Sequence, residues 1–344
     1  MGKVDAKRIA KRLDEVFANA HVETVALEDA RIVVFSDQHR GKGDGADDFK
    51  KCKRAYHAAL GHYLEARYRL CVLGDVEELW ECFAGPVVKT YADTLALEGE
   101  FNRVQGRYLR VVGNHDDIWA RPSKVNRYLG PVLGDLQVHE GVRLQVTQRG
   151  QGLGTLFMVH GHQGTFESEK ASVISRLFVR YIWRNWQRLT HMRINSPAKD
   201  FELRQEHERA MYGWAEGKPK TVLVAGHTHR PVFQSLANAA QLEQQLSAAR
   251  ADLAANPGDA ALLDKVTSLR AQVEWAKAAD GAHSGEPDPK ACYFNTGCCC
   301  FDDGDVTGIE IADGEIRLVR WPDDAGEPKP QVLARAGLAE VFGL

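Results

Sequence analysis

The sequence predicts an α/β fold whose central strands are buried on both faces. Five short apolar runs, rich in Val, Leu and Phe, each end in glycine and polar residues. These runs lie in 31–39, 69–75, 108–116, 154–162 and 221–229. Helical stretches such as 48–68 and 85–106 separate several of them. Continuous apolar runs are typical of strands covered on both sides, and their alternation with helices favours an α/β sheet.

The composition is that of an ordinary globular protein. The 344 residues are 44% hydrophobic and 26% charged, which is enough apolar material for a buried core. A formal net charge of −3 provides no overall field that would steer the chain toward nucleic acid or an anionic membrane. No apolar stretch approaches the length of a membrane span, and none of the seven cysteines forms a C-x-x-C pair. We therefore expect a reduced, cytoplasmic protein.

The N-terminal residues lack the apolar centre of a secretory signal. Instead, their apolar residues fall on one face of a predicted helix. This face consists of Ile9, Leu13, Val16 and Phe17.

The segment 167–216 is predicted to be a helical cap. Its apolar face consists of Val173, Leu177, Tyr181 and Ile182. Its basic stripe, with one arginine every four residues, consists of Arg176, Arg180, Arg184 and Arg188. The stripe has two interpretations. It is a solvated helix face, or it covers a site where Arg180 and Arg184 hold a phosphorylated substrate or contact an anionic membrane surface.

Residues 236–280 are predicted to form an inserted antiparallel helical hairpin. Apolar residues spaced three and four apart flank the turn ANPGDA and would make a coiled-coil-like seam. They are Leu242, Leu246, Ala249 and Leu253, then Val266, Leu269, Val273 and Ala276. The hairpin could be a lid, a partner-binding arm or an arm through which the chain forms an oligomer.

The C-terminal region is predicted to contain a strand and a β-hairpin. The strand is CYFNTGCCC, and the hairpin VTGIEIADGEIRLVRW turns at Asp313 and Gly314. The cysteine run at 298–300 is interpreted as strand packing rather than as a thiolate metal site. The tail from Pro322 is rich in proline and glycine and is expected to lie on the surface.

Side chains that can bind metal follow all five apolar runs. They are Asp37 and His39, Asp75, Asn114 and His115, His160 and His162, and His227 and His229. Functional residues gather where strands leave a sheet, so we expect these side chains to converge at the end of one sheet. Carboxylates and imidazoles suit Mn, Fe, Zn or Co, and one carboxylate can bridge two such cations.

In chain order, D-x-H, G-D, G-N-H-D, a lone histidine and G-H-x-H resemble the motifs of the calcineurin-like metallophosphoesterases. The matching segments run from Asp37 to His229, and the later NTG strand also fits. The resemblance implies an αββα sandwich, in which helices flank two mixed β-sheets, with one domain over 1–344. The N-terminal helix, the hairpin at 236–280 and the tail lie outside it.

The family pattern implies a role for each motif residue. Two divalent cations, for which we expect manganese with Fe, Zn or Co as alternatives, would hold a bridging hydroxide that attacks phosphorus. Asp37, His39 and His229 would bind one cation, Asn114, His160 and His227 the other, and Asp75 both. His115 would contact the phosphoryl oxygen or protonate the leaving group, and Asp116 would orient it. The pattern uses His160 rather than His162.

Each of these residues also has a structural interpretation. Asp37 and Asp75 could cap the elements that follow them, and His160 could be a satisfied core histidine. The order of the five motifs favours the metal site over these alternatives.

The segment LGDVEELW is similar to the G-D-x-x-E-x-W segment of the UDP-2,3-diacylglucosamine hydrolases, which also have an Arg-rich helical cap. This chain departs from them in having His115 where they have arginine, and in its length and its hairpin. The likeness implies hydrolysis of a phosphomonoester, phosphodiester or pyrophosphate, with a nucleotide-lipid among the candidate substrates. The Arg-rich helix would provide any contact with the inner face of the membrane.

Two further functions stay open. One is a nuclease of the same superfamily, although one basic stripe is less than the continuous groove that nucleic acid needs. The other is a catalytically silent metal-binding scaffold, in which we would expect damaged ligands.

Overall fold

The computed structural model describes residues 4–104, 106–164, 197–233, 238–257, 291–324 and 326–343, with single positions between 259 and 273. Its strands are β1 (His21–Ala26), β2 (Arg31–Phe35), β3 (Arg69–Leu73), β4 (Tyr108–Val111), β5 (Val138–His139), β6 (Gly141–Gln148), β7 (Gln151–Val159), β8 (Thr221–Ala225), β9 (Pro231–Phe233), β10 (Tyr293–Thr296), β11 (Val306–Ala312), β12 (Glu315–Trp321) and β13 (Gln331–Gly337). Its helices are α1 (Ala6–Asn19), α2 (Phe49–Glu65), α3 (Ala84–Thr90), α4 (Ala92–Asn102), α5 (Pro122–Tyr128), α6 (Gly130–Leu133), α7 (Pro197–Glu216), α8 (Asn238–Ala255) and α9 (Leu338–Val341). Among these residues, no helix combines the length and the apolar character needed to cross a membrane.

The described strands form two mixed sheets. The seven-stranded sheet has the order β13-β12-β11-β2-β3-β4-β5, and β2 to β5 run parallel in it. The six-stranded sheet has the order β1-β6-β7-β8-β10-β9, with β7, β8 and β10 parallel. Each sheet also contains antiparallel pairs, such as β2 with β11 and β6 with β7.

The two sheets pack against each other across one apolar layer. Val34 and Leu73 of the seven-stranded sheet share a core cluster with Leu144, Met158 and Val222 of the six-stranded sheet. All five predicted strands are present, but the expectation that they share one sheet is wrong: β2, β3 and β4 belong to one sheet, β7 and β8 to the other. A strand buried on both faces has the same apolar composition in either sheet, so its own sequence does not identify its partner.

Helices cover the outer faces of the sheets. Tyr56 of α2 packs with Val72 on the seven-stranded sheet. On the six-stranded sheet, Leu13 of α1 and Met211 of α7 pack with Phe157. Helices, sheet, sheet and helices make the αββα sandwich that the family resemblance implies, and the predicted fold class is confirmed.

The predicted N-terminal helix is α1. The carboxylate of Asp5 accepts a hydrogen bond from the Arg8 amide at 3.1 Å and so caps the first turn. Ile9, Leu13 and Val16 repeat at helical spacing and are buried against the sheet.

Part of the predicted cap is the helix α7. His207 of this helix has its Nε2 2.8 Å from the carbonyl oxygen of Gly161, in the loop after β7. This bond attaches α7 to the end of the six-stranded sheet. Residues 167–196 of the predicted cap lie outside the described residues.

The region of the predicted hairpin, 236–280, is described only in part. Leu246 and Ala249 of α8 share a small apolar cluster with Leu269 and Val273. These residues belong to the two rows of the predicted seam, and in the structure the rows contact each other.

The C-terminal region contains the predicted hairpin, and its tail contributes to the core. Asp313 and Gly314 form the predicted turn between β11 and β12, and their φ angles of 54° and 79° suit a two-residue hairpin loop. The expectation that the tail from Pro322 lies on the surface is wrong. β13 pairs with β12, and Leu338 and Phe342 are buried in the layer between the sheets. The three prolines of the tail and Gly326 precede this strand, whereas Gly337 ends it.

We predict that Phe342→Ala lowers the free energy of unfolding by about 3–5 kcal/mol, because it removes a large side chain from the core. Phe342 is 2% exposed, whereas Phe83 is 54% exposed. The same substitution at Phe83 should change the free energy by less than about 0.5 kcal/mol. Urea denaturation of both variants measures the difference. Equal losses would contradict the buried position of the tail.

Candidate metal centre

The structure brings the motif residues of both sheets together. Eight predicted site residues follow β2, β3, β4, β7 and β8, at the ends where these strands leave the sheets. They are Asp37, His39, Asp75, Asn114, His115, His160, His227 and His229. The predicted substrate residues Arg180 and Arg184 lie outside the described residues.

Five of these residues have a left-handed backbone conformation. Their φ angles are 53° at Asp37, 48° at His39, 49° at Asp75, 71° at His227 and 56° at His229. Residues other than glycine seldom adopt this conformation, and it clusters at functional sites. Backbone hydrogen bonds hold it here: the Asp37 amide donates to the Gly74 carbonyl at 3.1 Å, and the His39 amide donates to the Asp75 carbonyl at 2.9 Å.

Two motif glycines allow the carboxylates to lie close to the neighbouring loops. A Cβ atom on Gly113 would lie 2.1 Å from Asp75 Oδ1, and one on Gly226 would lie 2.4 Å from Asp37 Oδ2. Both distances are far below van der Waals contact. The glycines of G-N-H-D and G-H-x-H are therefore required by the packing of the two aspartates.

One group of candidate ligands consists of Asp37, His39 and His229. Asp37 Oδ1 lies 3.3 Å from His229 Nε2, and the Nε2 atoms of His39 and His229 are 3.0 Å apart. The other oxygen of Asp37 accepts the His227 amide at 2.9 Å. Asp37 Oδ1 is buried and has no hydrogen-bond partner within the described part of the chain. An orphaned carboxylate oxygen facing two imidazoles fits a cation-binding site.

The second group consists of Asp75, His160 and His227. His160 Nε2 lies 3.1 Å from Asp75 Oδ2 and 3.1 Å from Asn114 Oδ1. His160 Nδ1 donates to the carbonyl of Leu73 at 2.7 Å, which leaves Nε2 as the ligand atom.

Asp75 connects the two groups. Its Oδ2 lies 3.1 Å from His160 Nε2 in one group and 3.8 Å from His39 Nε2 in the other. The donor set of carboxylates, one amide oxygen and imidazoles fits divalent Mn, Fe, Zn or Co. The residues present therefore fit the metals that the motifs imply, without selecting one ion.

The charges of the centre suit metal binding. Burial opposes ionisation of Asp75, but the neighbouring His160 and His115 outweigh it and hold the pKa of this carboxyl well below its ordinary value. Burial, together with His160, holds the pKa of His227 well below its ordinary value. Asp75 thus offers an ionised carboxylate and His227 a neutral imidazole, the forms of these groups that bind metal. At His160, burial opposes the charged ring, but Asp75 and Asp37 outweigh it and raise the pKa to about 9, so a cation that binds this histidine has to displace a proton.

Glu78 connects two histidines of the site. Its Oε2 lies 3.0 Å from His39 Nδ1 and 2.7 Å from His115 Nδ1. A carboxylate at Nδ1 fixes the ring and leaves Nε2 for a cation or a substrate. Trp80 stacks on the His115 ring with a centroid distance of 4.1 Å, and its Nε1 donates to the Asn114 carbonyl at 2.6 Å. This role of Glu78 was not predicted, although the E-x-W part of LGDVEELW contains both Glu78 and Trp80.

Asp116 holds the loop backbone instead of the His115 ring. Its Oδ1 accepts the Gly113 amide at 2.7 Å, and its Oδ2 accepts the Val76 amide at 3.0 Å. Asp116 thereby ties the loop after β4 to the loop after β3. The structure corrects the prediction that Asp116 orients His115, because Glu78 faces the Nδ1 of that ring.

Comparison with known proteins identifies the family of the chain. The family model for calcineurin-like phosphoesterases matches residues 30–231, which is more than half of the chain. The chain belongs to this family and is a phosphoesterase of the hydrolase class. A search of curated proteins finds no match. Among solved structures, the chain is similar to Vacuolar Protein Sorting 29 from Cryptosporidium parvum at 11% identity and a TM-score of 0.37, over 90% of this chain and 98% of that one.

We predict that Glu78→Gln weakens Mn²⁺ binding or activity by about 10–100-fold, because it removes the carboxylate that faces the Nδ1 atoms of His39 and His115. The neighbouring Glu77 provides a matched control. Glu77 pairs with the buried Arg110, so Glu77→Gln should mainly lower stability, by about 3–5 kcal/mol. Isothermal titration with Mn²⁺ and urea denaturation separate the effects. Unchanged Mn²⁺ affinity and activity in Glu78→Gln would contradict the role given to Glu78.

Proposed function

We propose that the chain is a phosphoesterase that uses two divalent cations, with manganese the preferred ion. The observation that carries the proposal is the position of Asp75, within 3.1 Å of His160 and 3.8 Å of His39. One carboxylate next to histidines of two separate ligand groups suits a bridge between two cations.

Seven side chains would hold the cations. One set is Asp37, His39 and His229, the other is Asn114, His160 and His227, and Asp75 belongs to both. When bound, the two cations would lower the pKa of a coordinated water and polarise the phosphoryl group.

His115 would act on the substrate. Glu78 engages its Nδ1 and Trp80 stacks on its face, which leaves Nε2 to donate a proton to the leaving oxygen. Its side chain is 23% exposed, so a bound phosphoester can reach it. Glu78 would stabilise the imidazolium and fix the ring, in the place that Asp116 was expected to take.

The substrate we propose is a phosphorylated small molecule or lipid that carries a phosphomonoester, phosphodiester or pyrophosphate. The LGDVEELW segment supports a nucleotide-lipid as the first candidate, and such a substrate would bring the protein to the cytoplasmic face of a membrane. A panel of UDP-diacylglucosamine, nucleotides, a phosphomonoester and single-stranded nucleic acid would identify the class. Preferential cleavage of the nucleic acid would favour a nuclease instead.

We predict that Asp75→Asn abolishes most hydrolysis of a chromogenic phosphoester in Mn²⁺. The substitution keeps the size of the side chain and removes the charge that both ligand groups share. Bound manganese, measured by mass spectrometry of the desalted protein, should fall from about two ions per chain toward one or none. Full activity in Asp75→Asn, or in wild type with excess chelator, would overturn the proposed mechanism.

We predict that His115→Ala lowers kcat by about 10²–10⁴-fold while the bound manganese is unchanged. The loss should be larger for an alkyl phosphoester than for a nitrophenyl one, since a poor leaving group needs the proton more. Steady-state kinetics on both substrates measures the ratio. Loss of manganese in this variant would instead make His115 a ligand, together with His39 and Asp75.

A further inference from the structure

The run of three cysteines lies beside the metal centre, after β10. Cys299 is buried in the core, with its Sγ 4.0 Å from the Thr307 carbonyl. Cys299 therefore packs in the core, as expected from the sequence. Its two neighbours are different: Cys298 and Cys300 form a group with His229 in which the ligand atoms all lie within 4.8 Å of one another.

The imidazole of His229 lies between this pair and the centre already described. Its Nε2 is 3.3 Å from Asp37 Oδ1, and its Nδ1 is 3.7 Å from Cys300 Sγ. The two nitrogens of one ring therefore belong to two different groups of ligand atoms. One group consists of carboxylate and imidazole, and the other contains two sulfurs.

The spacing of the sulfur group suits a tetrahedral cation. Such an ion binds sulfur at about 2.3 Å and nitrogen at about 2.0–2.1 Å, which sets these donors about 3.6 Å apart. The separation of Cys300 Sγ and His229 Nδ1 matches this value.

Backbone hydrogen bonds hold the cysteine segment in place. The Cys299 amide donates to the Asp37 carbonyl at 3.1 Å, and the Thr307 amide donates to the Cys298 carbonyl at 3.1 Å. Cys298 is buried and Cys300 is half-buried, so an ion can approach from the side of Cys300.

We propose that Cys298, Cys300 and His229 bind a soft, thiophilic cation of the Zn²⁺, Cd²⁺ or Cu⁺ class. Thiolates select such ions, whereas the carboxylates of the neighbouring centre also accept harder ones. Each cysteine that binds releases its proton to solvent, and Sγ donates an electron pair to the ion.

Occupancy of this site would inhibit the enzyme. His229 can bind a cation through each nitrogen only as an imidazolate, so the soft ion competes with the cation at Asp37 for a neutral ring. The two ions would therefore weaken each other's binding, by reciprocal coupling. This consequence rests on the proposed function, whereas the sulfur site itself does not.

The test uses Cd²⁺ as the probe, added to the reduced, full-length, manganese-loaded protein. The expected result is a thiolate-to-cadmium charge-transfer absorbance that saturates near one extra ion per chain, with a parallel loss of phosphoesterase activity. The double variant Cys298→Ser and Cys300→Ser should lose the absorbance. Its activity, relative to its own cadmium-free value, should resist the inhibition. Cys71→Ala, which removes a buried sulfur from β3, is the matched control and should behave as wild type.

The same absorbance in the double variant and in wild type would overturn the proposal, as would cadmium binding in wild type without a thiolate band. If circular dichroism shows that the double variant does not fold, the single variant Cys300→Ser replaces it in the titration. This half-buried residue contributes one of the two sulfurs, so the single variant should also lose most of the absorbance. The absorbance titration needs no activity. A chain that binds cadmium through thiolates but hydrolyses no phosphoester would retain the sulfur site and refute only the proposed function.

Discussion

The position of the Asp75 carboxylate depends on both sheets at once. Asp75 and His39 follow strands of the seven-stranded sheet, while His160, 3.1 Å from Asp75 Oδ2, follows β7 of the six-stranded sheet. A displacement of one sheet against the other by 1 Å or so would separate these atoms, and protein cores resist such displacements because they are close-packed. The apolar layer between the sheets therefore sets the geometry of the candidate centre as well as the stability of the fold.

The centre is costly to maintain. Five candidate ligands have a left-handed backbone, and each such residue costs on the order of 1–3 kcal/mol. The buried backbone amides of the loops also need hydrogen-bond acceptors. The Asp116 carboxylate accepts from the amides of Gly113 and Val76. Next to it, Arg110 pairs with the buried Glu77. The packing of the two sheets offsets this cost in free energy. The backbone strain is concentrated at residues whose side chains have to point toward the centre.

The convergence of the candidate ligands could be expected from the sequence because each follows an apolar run directly, and a strand end fixes the start of the next loop. It predicted contacts between loops less well. Glu77 and Asp116 are buried and Glu78 is half-buried, and all three acids lie near His115 in the sequence or the fold. Only the conformation of the loop places the Glu78 carboxylate, and not the other two, against the His115 ring. The sheet of each strand and the core position of Phe342 likewise depend on contacts between residues far apart in the chain.

The two histidines of the Asp37 group are anchored differently. His39 is 8% exposed and faces the carboxylate of Glu78, a strong acceptor that makes the ring a better ligand. His229 is 32% exposed and faces the thiol of Cys300, a weak acceptor. In the second group, by contrast, His160 is fully buried and its ring is fixed by a backbone carbonyl. The Asp37 group therefore has the less firmly held ligand, and a competing ion or a change in the cysteines would act first at His229.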